Sequence, residues 1–199
     1  EGLLQIYSSA FYNCTGLVSS LEFPSSLHYL EPYAFYNCTG ITGSLNLSNI
    51  ERIIGRYAFY NCIKLKGTLT LGEGVTTVGE YAFYKCSGLS GQIYLSRYIS
   101  QIEQYAFYGC SNLEGPLNFS SNLEEIGNFA FYRCTSLNGF LHLGSDISYI
   151  GSYAFCGCSK IKGVLRIGLH SRCYINDYAF SECTGFSGLI FYNVWQICF

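Results

Sequence analysis

Apolar residues return along this chain at an interval of 24 positions. The dipeptide Ala-Phe first occurs at Ala10, recurs six times at intervals of 24 residues, and recurs once more after 25 residues at Ala179. A cysteine follows each of these alanines by four positions, and the column cysteines are Cys14, Cys38, Cys62, Cys86, Cys110, Cys134, Cys158 and Cys183. Self-similarity at a fixed period of roughly 20 to 50 residues is typical of repeat architectures. The pattern therefore predicts a repeat solenoid of about eight 24-residue units.

Each unit contains one short stretch in which apolar and polar residues alternate. Leu69-Thr70-Leu71 is such a stretch, and it leads into the turn Gly72-Glu73-Gly74. Alternation with a period of two is typical of a half-buried strand, so we expect one short parallel strand per coil. The Ala-Phe-x-x-Cys segment places apolar groups at i, i+1 and i+4, which favours a single helical or 3₁₀ turn on the opposite side of the coil.

Stacking of the units accounts for the core of the molecule. A single unit cannot bury its apolar residues alone, but stacked units bury a continuous column of them. The chain is therefore predicted to form one domain over residues 1–199. The last unit is irregular, because 169–174 contains an extra residue and 194–199 is not followed by another Ala-Phe. We expect residues 184–199 to form an irregular C-terminal unit or a cap.

The repeated residues resemble a known class of repeat. The segment VGEYAFYKCSGL at 78–89 is similar to the Ile-Gly-x-x-Ala-Phe-x-x-Cys-x-x-Leu run of BspA-like leucine-rich repeats, and comparable runs occupy 126–137 and 150–161. The 24-residue unit resembles the large surface-protein families of parasitic protists, especially trichomonads. The resemblance implies a leucine-rich-repeat-like solenoid in a cell-surface or secreted protein that adheres to host cells or matrix proteins. It implies no catalytic residues.

Composition and charge exclude two classes of interaction. Charged residues make up 12% of the chain and the formal net charge is -2, so the chain lacks the basic field that holds phosphate backbones, and we expect no nucleic-acid partner. No stretch approaches about 18 consecutive apolar residues, so no membrane span is expected in this fragment. No basic start followed by an apolar segment precedes the repeats, and a secretory signal is either absent or lies upstream of the fragment.

Eleven cysteines raise the question of a disulfide framework or a metal site. Stacking places the column cysteines in a line rather than around a tetrahedral centre, so we expect no metal site and no cofactor. Buried free thiols that pack as small apolar groups are one interpretation. One or two bridges remain an alternative, with Cys156, Cys173 and Cys198, which lie outside the column, as the better candidates.

The three histidines fall in unrelated columns and only two aspartates exist, so we expect no enzyme.

Recognition is expected where the units differ from one another. Two outward columns of the predicted strands vary most: one holds Glu22, Asn46, Thr70, Tyr94, Asn118, His142, Arg166 and Phe191, and its neighbour holds Ser20, Ser44, Thr68, Gln92, Pro116, Phe140, Val164 and Leu189. They become more aromatic, basic and apolar toward the C-terminal half. We predict that a protein partner binds there, on Gln92, Tyr94, Asn118, Phe140, His142, Val164 and Arg166. The alternative is sequence drift on an unused face, with an apolar seam toward further repeats.

Two columns of tyrosines flank the Ala-Phe dipeptide, and we expect these rings to stack between coils, with a sticky outer ridge as the alternative. The function predicted from these features is a non-catalytic binding or adhesion module. An intracellular or structural scaffold that bridges proteins or self-assembles is the alternative. End-to-end self-association belongs to it, because terminal coils without polar caps tend to stack.

Overall fold

Successive coils of the chain stack in parallel register, as the repeat period predicts. The structure, a computed structural model, describes residues 2–169 and 173–193. Residues 24 positions apart lie side by side on neighbouring coils, as Glu125 lies beside Tyr149 and Ile126 beside Ile150. The predicted solenoid with parallel strands is confirmed.

The described residues form three parallel sheets. The eight-stranded sheet contains β1 (Gln5–Ile6), β2 (Tyr29–Leu30), β4 (Arg52–Ile54), β6 (Val75–Val78), β8 (Gln101–Ile102), β10 (Glu125–Ile126), β12 (Tyr149–Ile150) and β14 (Tyr174–Ile175). The three-stranded sheet contains β3 (Leu45–Leu47), β5 (Gly67–Leu71) and β7 (Leu89–Tyr94). The four-stranded sheet contains β9 (Leu117–Asn118), β11 (Leu141–His142), β13 (Gly163–Leu169) and β15 (Phe186–Asn193).

The alternating stretches form the strands of the three- and four-stranded sheets. In β5, Leu69 and Leu71 are buried, whereas Thr70 between them points outward. Leu45 pairs with Leu69, and Leu47 with Leu71, so the apolar side chains of neighbouring coils pack on each other. A one-residue slip would turn every such leucine to solvent, which is why the 24-residue interval fixes the register.

Most coils contain a second strand that the alternation does not predict. The eight-stranded sheet arises from segments such as β6, in which Val75 and Val78 are buried and the two threonines between them are exposed or half-buried. A spacing of three between buried residues does not have the period of a strand, so the sequence pattern does not predict a strand here. Hydrogen bonding between coils makes it a strand all the same.

The predicted helical or 3₁₀ turn is not confirmed, because the Ala-Phe segment folds as consecutive β-turns and the described residues contain no helix. Tyr81 and Lys85 have positive φ angles of 55° and 56°, which a right-handed helix does not allow. Alternate N–H groups then point in different directions. Those of Ala82, Tyr84 and Cys86 bond to carbonyls three residues back in their own coil, and those of Tyr81, Phe83 and Lys85 bond to the next coil.

Aromatic rings stack in columns along the solenoid. The phenylalanines that follow the alanines stack at 4.9 to 5.5 Å between centroids from Phe11 to Phe180, and those from Phe35 to Phe155 are buried. The tyrosine columns stack similarly, for example Tyr57 on Tyr81 at 4.7 Å and Tyr60 on Tyr84 at 4.8 Å. Ring faces within these columns contact one another, so the tyrosines present mainly their edges to solvent. This arrangement fits the structural role of the tyrosines.

The three-stranded and four-stranded sheets are separate at Pro116. This residue stands in the column of Thr68 and Gln92, immediately before β9. Proline has no N–H to donate to a neighbouring strand, so β7 and β9 do not pair, and an isolated bridge between Gln92 and Glu114 joins their two coils instead. The predicted cap over residues 184–199 remains a prediction, because 194–199 lie outside the described residues.

Candidate partner-binding surface

The outward side chains of β9, β11 and β13 form one continuous row. Asn118 pairs with His142, and His142 pairs with Arg166, so the three side chains stand on adjacent strands. All three are exposed, while Leu141 and Leu165 between the outward positions are buried. We call the outward surface of the three- and four-stranded sheets the strand face.

Four of the seven predicted residues surround one depression on the strand face. Phe140, His142, Val164 and Arg166 line it together with Gly163, and its volume is about 480 Å³. The Phe140 ring is 60% exposed and its centroid lies 6.5 Å from that of His142. Apolar and cationic groups therefore meet at one place.

Gly163 makes room for the Phe140 ring. Its φ angle is +84°, in the left-handed region, and a Cβ atom at this position would lie 2.5 Å from two ring carbons of Phe140. Only glycine satisfies both conditions without moving the ring. The orientation of Phe140 thus depends on a residue that carries no functional group.

The other three predicted residues lie in a second, smaller depression. Gln92, Tyr94 and Asn118 line it together with Pro116, and its volume is about 330 Å³. This depression occupies the place where the two sheets separate. The seven residues thus lie on one face but form two groups, and the sequence gives no sign of this division apart from the proline.

The last members of the two outward columns differ from those predicted. Arg166 pairs with Ile190 rather than standing beside Phe191, and Val164 pairs with Gly188 rather than Leu189. The last interval between alanines is 25 residues, but the pairing of β13 with β15 keeps a register of 24. The assignments of Phe191 and Leu189 to these columns were therefore wrong by one position.

Sequence reasoning missed a groove on the eight-stranded sheet. The groove has a volume of about 430 Å³, and its lining residues include Tyr29, Pro32, Arg52, Ile53 and Arg56. The strand register shifts between Arg52 and Ile53, and Arg52 has a φ angle of 63°. This bulge follows from a three-residue spacing of Leu47 and Ile50, where other units have four, and that spacing is visible in the sequence.

The column cysteines satisfy backbone carbonyls inside the solenoid. From Cys38 to Cys183, each Sγ donates to the carbonyl of a phenylalanine on the preceding coil at 2.9 to 3.2 Å. The Phe59 carbonyl, for instance, accepts both the N–H of Cys62 and the thiol of Cys86. A carbonyl oxygen has two lone pairs, so the thiol fills the position that the turn leaves open.

Burial makes these thiols poor acids. It raises the pKa of the Cys110 and Cys183 thiols to about 12, and it raises those of Cys62, Cys86, Cys134 and Cys158 as well. Cys156 and Cys173, the candidates for pairing, are free thiols, and Cys198 lies outside the described residues. Within 2–169 and 173–193, no group of three or more His, Cys, Asp or Glu side chains is placed to hold a metal ion.

The described part of the chain contains no helix of the length and apolar character needed to cross a bilayer.

Comparison with known families gives a match over nearly the whole chain. The family described as "BspA type Leucine rich repeat region (6 copies)" matches residues 1–114, 41–162 and 100–197. Among curated proteins, no sequence matches this chain.

Two solved structures share the architecture. A leucine-rich repeat protein of T. pallidum is 26% identical over 80% of this chain and 72% of its own, with a TM-score of 0.56. A leucine-rich repeat protein of Bacteroides ovatus is 22% identical over 96% of this chain and 60% of its own, with a TM-score of 0.52. The latter likeness concerns the fold alone.

Proposed function

We propose that this chain, which belongs to the family of BspA-type leucine-rich repeat proteins, is a non-catalytic adhesion module that binds a protein partner through its strand face. Repeats of this family are typically protein-interaction modules, and no catalytic family is indicated. BspA-like proteins are often surface-associated, which supports a location at the cell surface or outside the cell. The partner belongs to a host cell or to its matrix.

The observation that carries this proposal is the contrast between the two sides of each strand. Inward positions repeat the same apolar residues from coil to coil, as the core requires. Outward positions change, and in the C-terminal half they expose Tyr94, Phe140, His142 and Arg166. Aromatic and arginine side chains contribute most of the binding energy in many protein interfaces, so this half of the strand face supports the role better than the polar half.

Combined substitution of Phe140→Ser and Arg166→Glu is expected to reduce adhesion at least tenfold, because it removes an apolar and a cationic contact together. Binding is measured to cultured epithelial cell layers and to plates coated with purified matrix proteins. The matched control, Ile53→Ser with Lys64→Glu, also changes one exposed apolar and one exposed cationic residue, but away from the strand face. Equal adhesion of both double variants would contradict the proposal.

A second candidate is end-to-end self-association as part of a scaffold. Strand β15 has a neighbour on one side only within the described residues, and it exposes Leu189 and Phe191 beside an apolar depression of about 680 Å³. If this surface stacks on another copy, light scattering will show a mass that rises with concentration, and Leu189→Lys with Phe191→Lys will abolish the rise. A constant monomeric mass at all concentrations would exclude this candidate for the 199-residue chain.

A further inference from the structure

Positive charges outnumber negative ones in the C-terminal coils that carry Phe140 and Arg166. Across residues 137–167 the chain carries Lys160, Lys162 and Arg166 against one carboxylate, Asp146, although the whole chain has a formal net charge of -2. His142 adds a group that becomes positive on protonation. This part of the face therefore attracts anions, whereas the protein as a whole does not.

Arg166 is available for a partner. Its side chain is exposed, and no carboxylate among the described residues lies within ion-pair distance of its guanidinium group. The ion pairs of the described chain lie elsewhere, between His28 and Glu51 and between Arg97 and Glu73. A guanidinium group presents a planar set of donors that fits a carboxylate in a bidentate manner.

The apolar side of the depression, next to Arg166, is also accessible to a partner. The exposed Phe140 ring lies immediately before β11, and the half-buried Val164 lies in the adjacent strand β13. Both side chains border the same depression. Its volume of about 480 Å³ exceeds that of a single aliphatic side chain. An apolar side chain placed there would cover Phe140 while its neighbour in sequence reached Arg166.

From this arrangement we infer that the depression formed by Phe140, His142, Val164 and Arg166 recognises a peptide segment in which a carboxylate residue stands next to a large aliphatic residue. The carboxylate accepts hydrogen bonds from Arg166, and the aliphatic side chain packs on Phe140 and Val164. The inference rests on the proposed function and names the chemistry of the partner at the same face. A basic or purely polar segment does not fit, because it would oppose the local charge or leave the aromatic ring exposed.

Four nine-residue peptides with neutral ends and Gly-Ser flanks test the inference, with Asp-Leu, Asn-Leu, Asp-Ser or Lys-Leu at the centre. Titrations of the ¹⁵N-labelled chain, followed through the amide signals of His142 and Val164, give the dissociation constants. The Asp-Leu peptide is expected to bind about tenfold more tightly than Asn-Leu and Asp-Ser, and Lys-Leu most weakly. Equal binding of the Asp-Leu and Asn-Leu peptides would overturn the inference.

Single substitutions assign the two preferences to their residues. In Arg166→Gln the preference for Asp over Asn disappears while that for Leu over Ser remains, and in Phe140→Ser the reverse holds. Arg166→Lys keeps the charge and retains part of the preference for Asp. An acid preference that persists unchanged in Arg166→Gln would overturn the inference. Unchanged amide signals of the N-terminal coils confirm that each variant is folded.

The adhesion measurement keeps the two proposals apart. Adhesion that depends on Phe140 and Arg166, together with peptides that show no acid preference, removes the inference and leaves the proposed function. A clear peptide preference in a chain that adheres to none of the tested surfaces removes the proposed adhesion function instead, and then supports the peptide chemistry alone.

Discussion

Phe83→Ala is expected to lower the free energy of unfolding by about 3 to 5 kcal/mol, one of the largest effects that a single substitution produces in this chain. The Phe83 ring is fully buried, and it stacks between Phe59 and Phe107 at centroid distances of 5.5 and 5.2 Å. Its removal leaves a cavity that neighbouring coils cannot fill, because the backbone hydrogen bonds between coils fix their separation. Urea unfolding followed by circular dichroism and by tyrosine fluorescence measures the change.

Phe140→Ala is the matched control for this experiment. It removes the same atoms from a ring that is 60% exposed, so its cost is expected to stay below about 1 kcal/mol. The cavity left by Phe83→Ala also weakens the contacts with the coils on either side, and the stability of a solenoid depends on such contacts between nearest neighbours. A Phe83→Ala variant no less stable than Phe140→Ala would show that the phenylalanine column is not the core.

The column cysteines from Cys62 to Cys183 in the native chain are expected to react with a disulfide reagent at pH 8 at least about a thousandfold more slowly than in denaturant. The thiolate is the reactive form, and a pKa raised from 9.0 to about 12 at Cys110 lowers its fraction at this pH by about a thousandfold. Burial restricts access in addition. The rate of release of the coloured thiol product, with and without guanidinium chloride, measures the difference.

Half-buried Cys14 serves as the internal comparison for the thiol measurement, because it lies at the edge of the column in the first coil. Its modification is expected to be fast in the native chain, and Cys14→Ser removes that phase. The sign of the pKa shift also sets a pH dependence. Ionisation of the unfolded thiols begins near their ordinary pKa of 9.0, so folding stability falls as pH rises from there toward 12. Column thiols that react in native and denatured chains at the same rate would contradict the proposed packing.

The 24-residue period predicts most of the fold. It predicts which residues pair between coils, which leucines face inward and where the aromatic columns run, because stacking identical units leaves one register that buries every apolar position. The helical or 3₁₀ turn expected at Tyr81 to Cys86 is not confirmed, because apolar spacing indicates which side chains are buried but not the sign of φ. The sequence pattern also does not predict the second strand of each coil, for a related reason. In Val75-Thr76-Thr77-Val78, hydrogen bonding between coils forms the strand without alternation of burial.

The candidate site could be predicted only in part. Variation between units identifies the outward positions, and the structure places the seven residues on one face. Their division into two depressions depends on the missing N–H of Pro116, and the open wall at Phe140 depends on the positive φ of Gly163. Both effects arise from backbone geometry on a neighbouring coil, which no residue of the site itself reveals. The role of the seven residues in binding stays a prediction.

The alternate N–H groups that reach from one coil to the next have a mechanical consequence. These bonds, such as that from the Phe83 N–H to the Ala106 carbonyl at 2.8 Å, run along the direction in which the coils stack. A force that pulls the ends of the solenoid apart therefore acts on one coil boundary at a time, as in peeling, rather than on all strands together in shear. Each coil that opens releases 24 residues, or roughly 80 Å of extended chain. A molecule tethered through this chain would yield in steps and lengthen under load while its remaining coils stay folded.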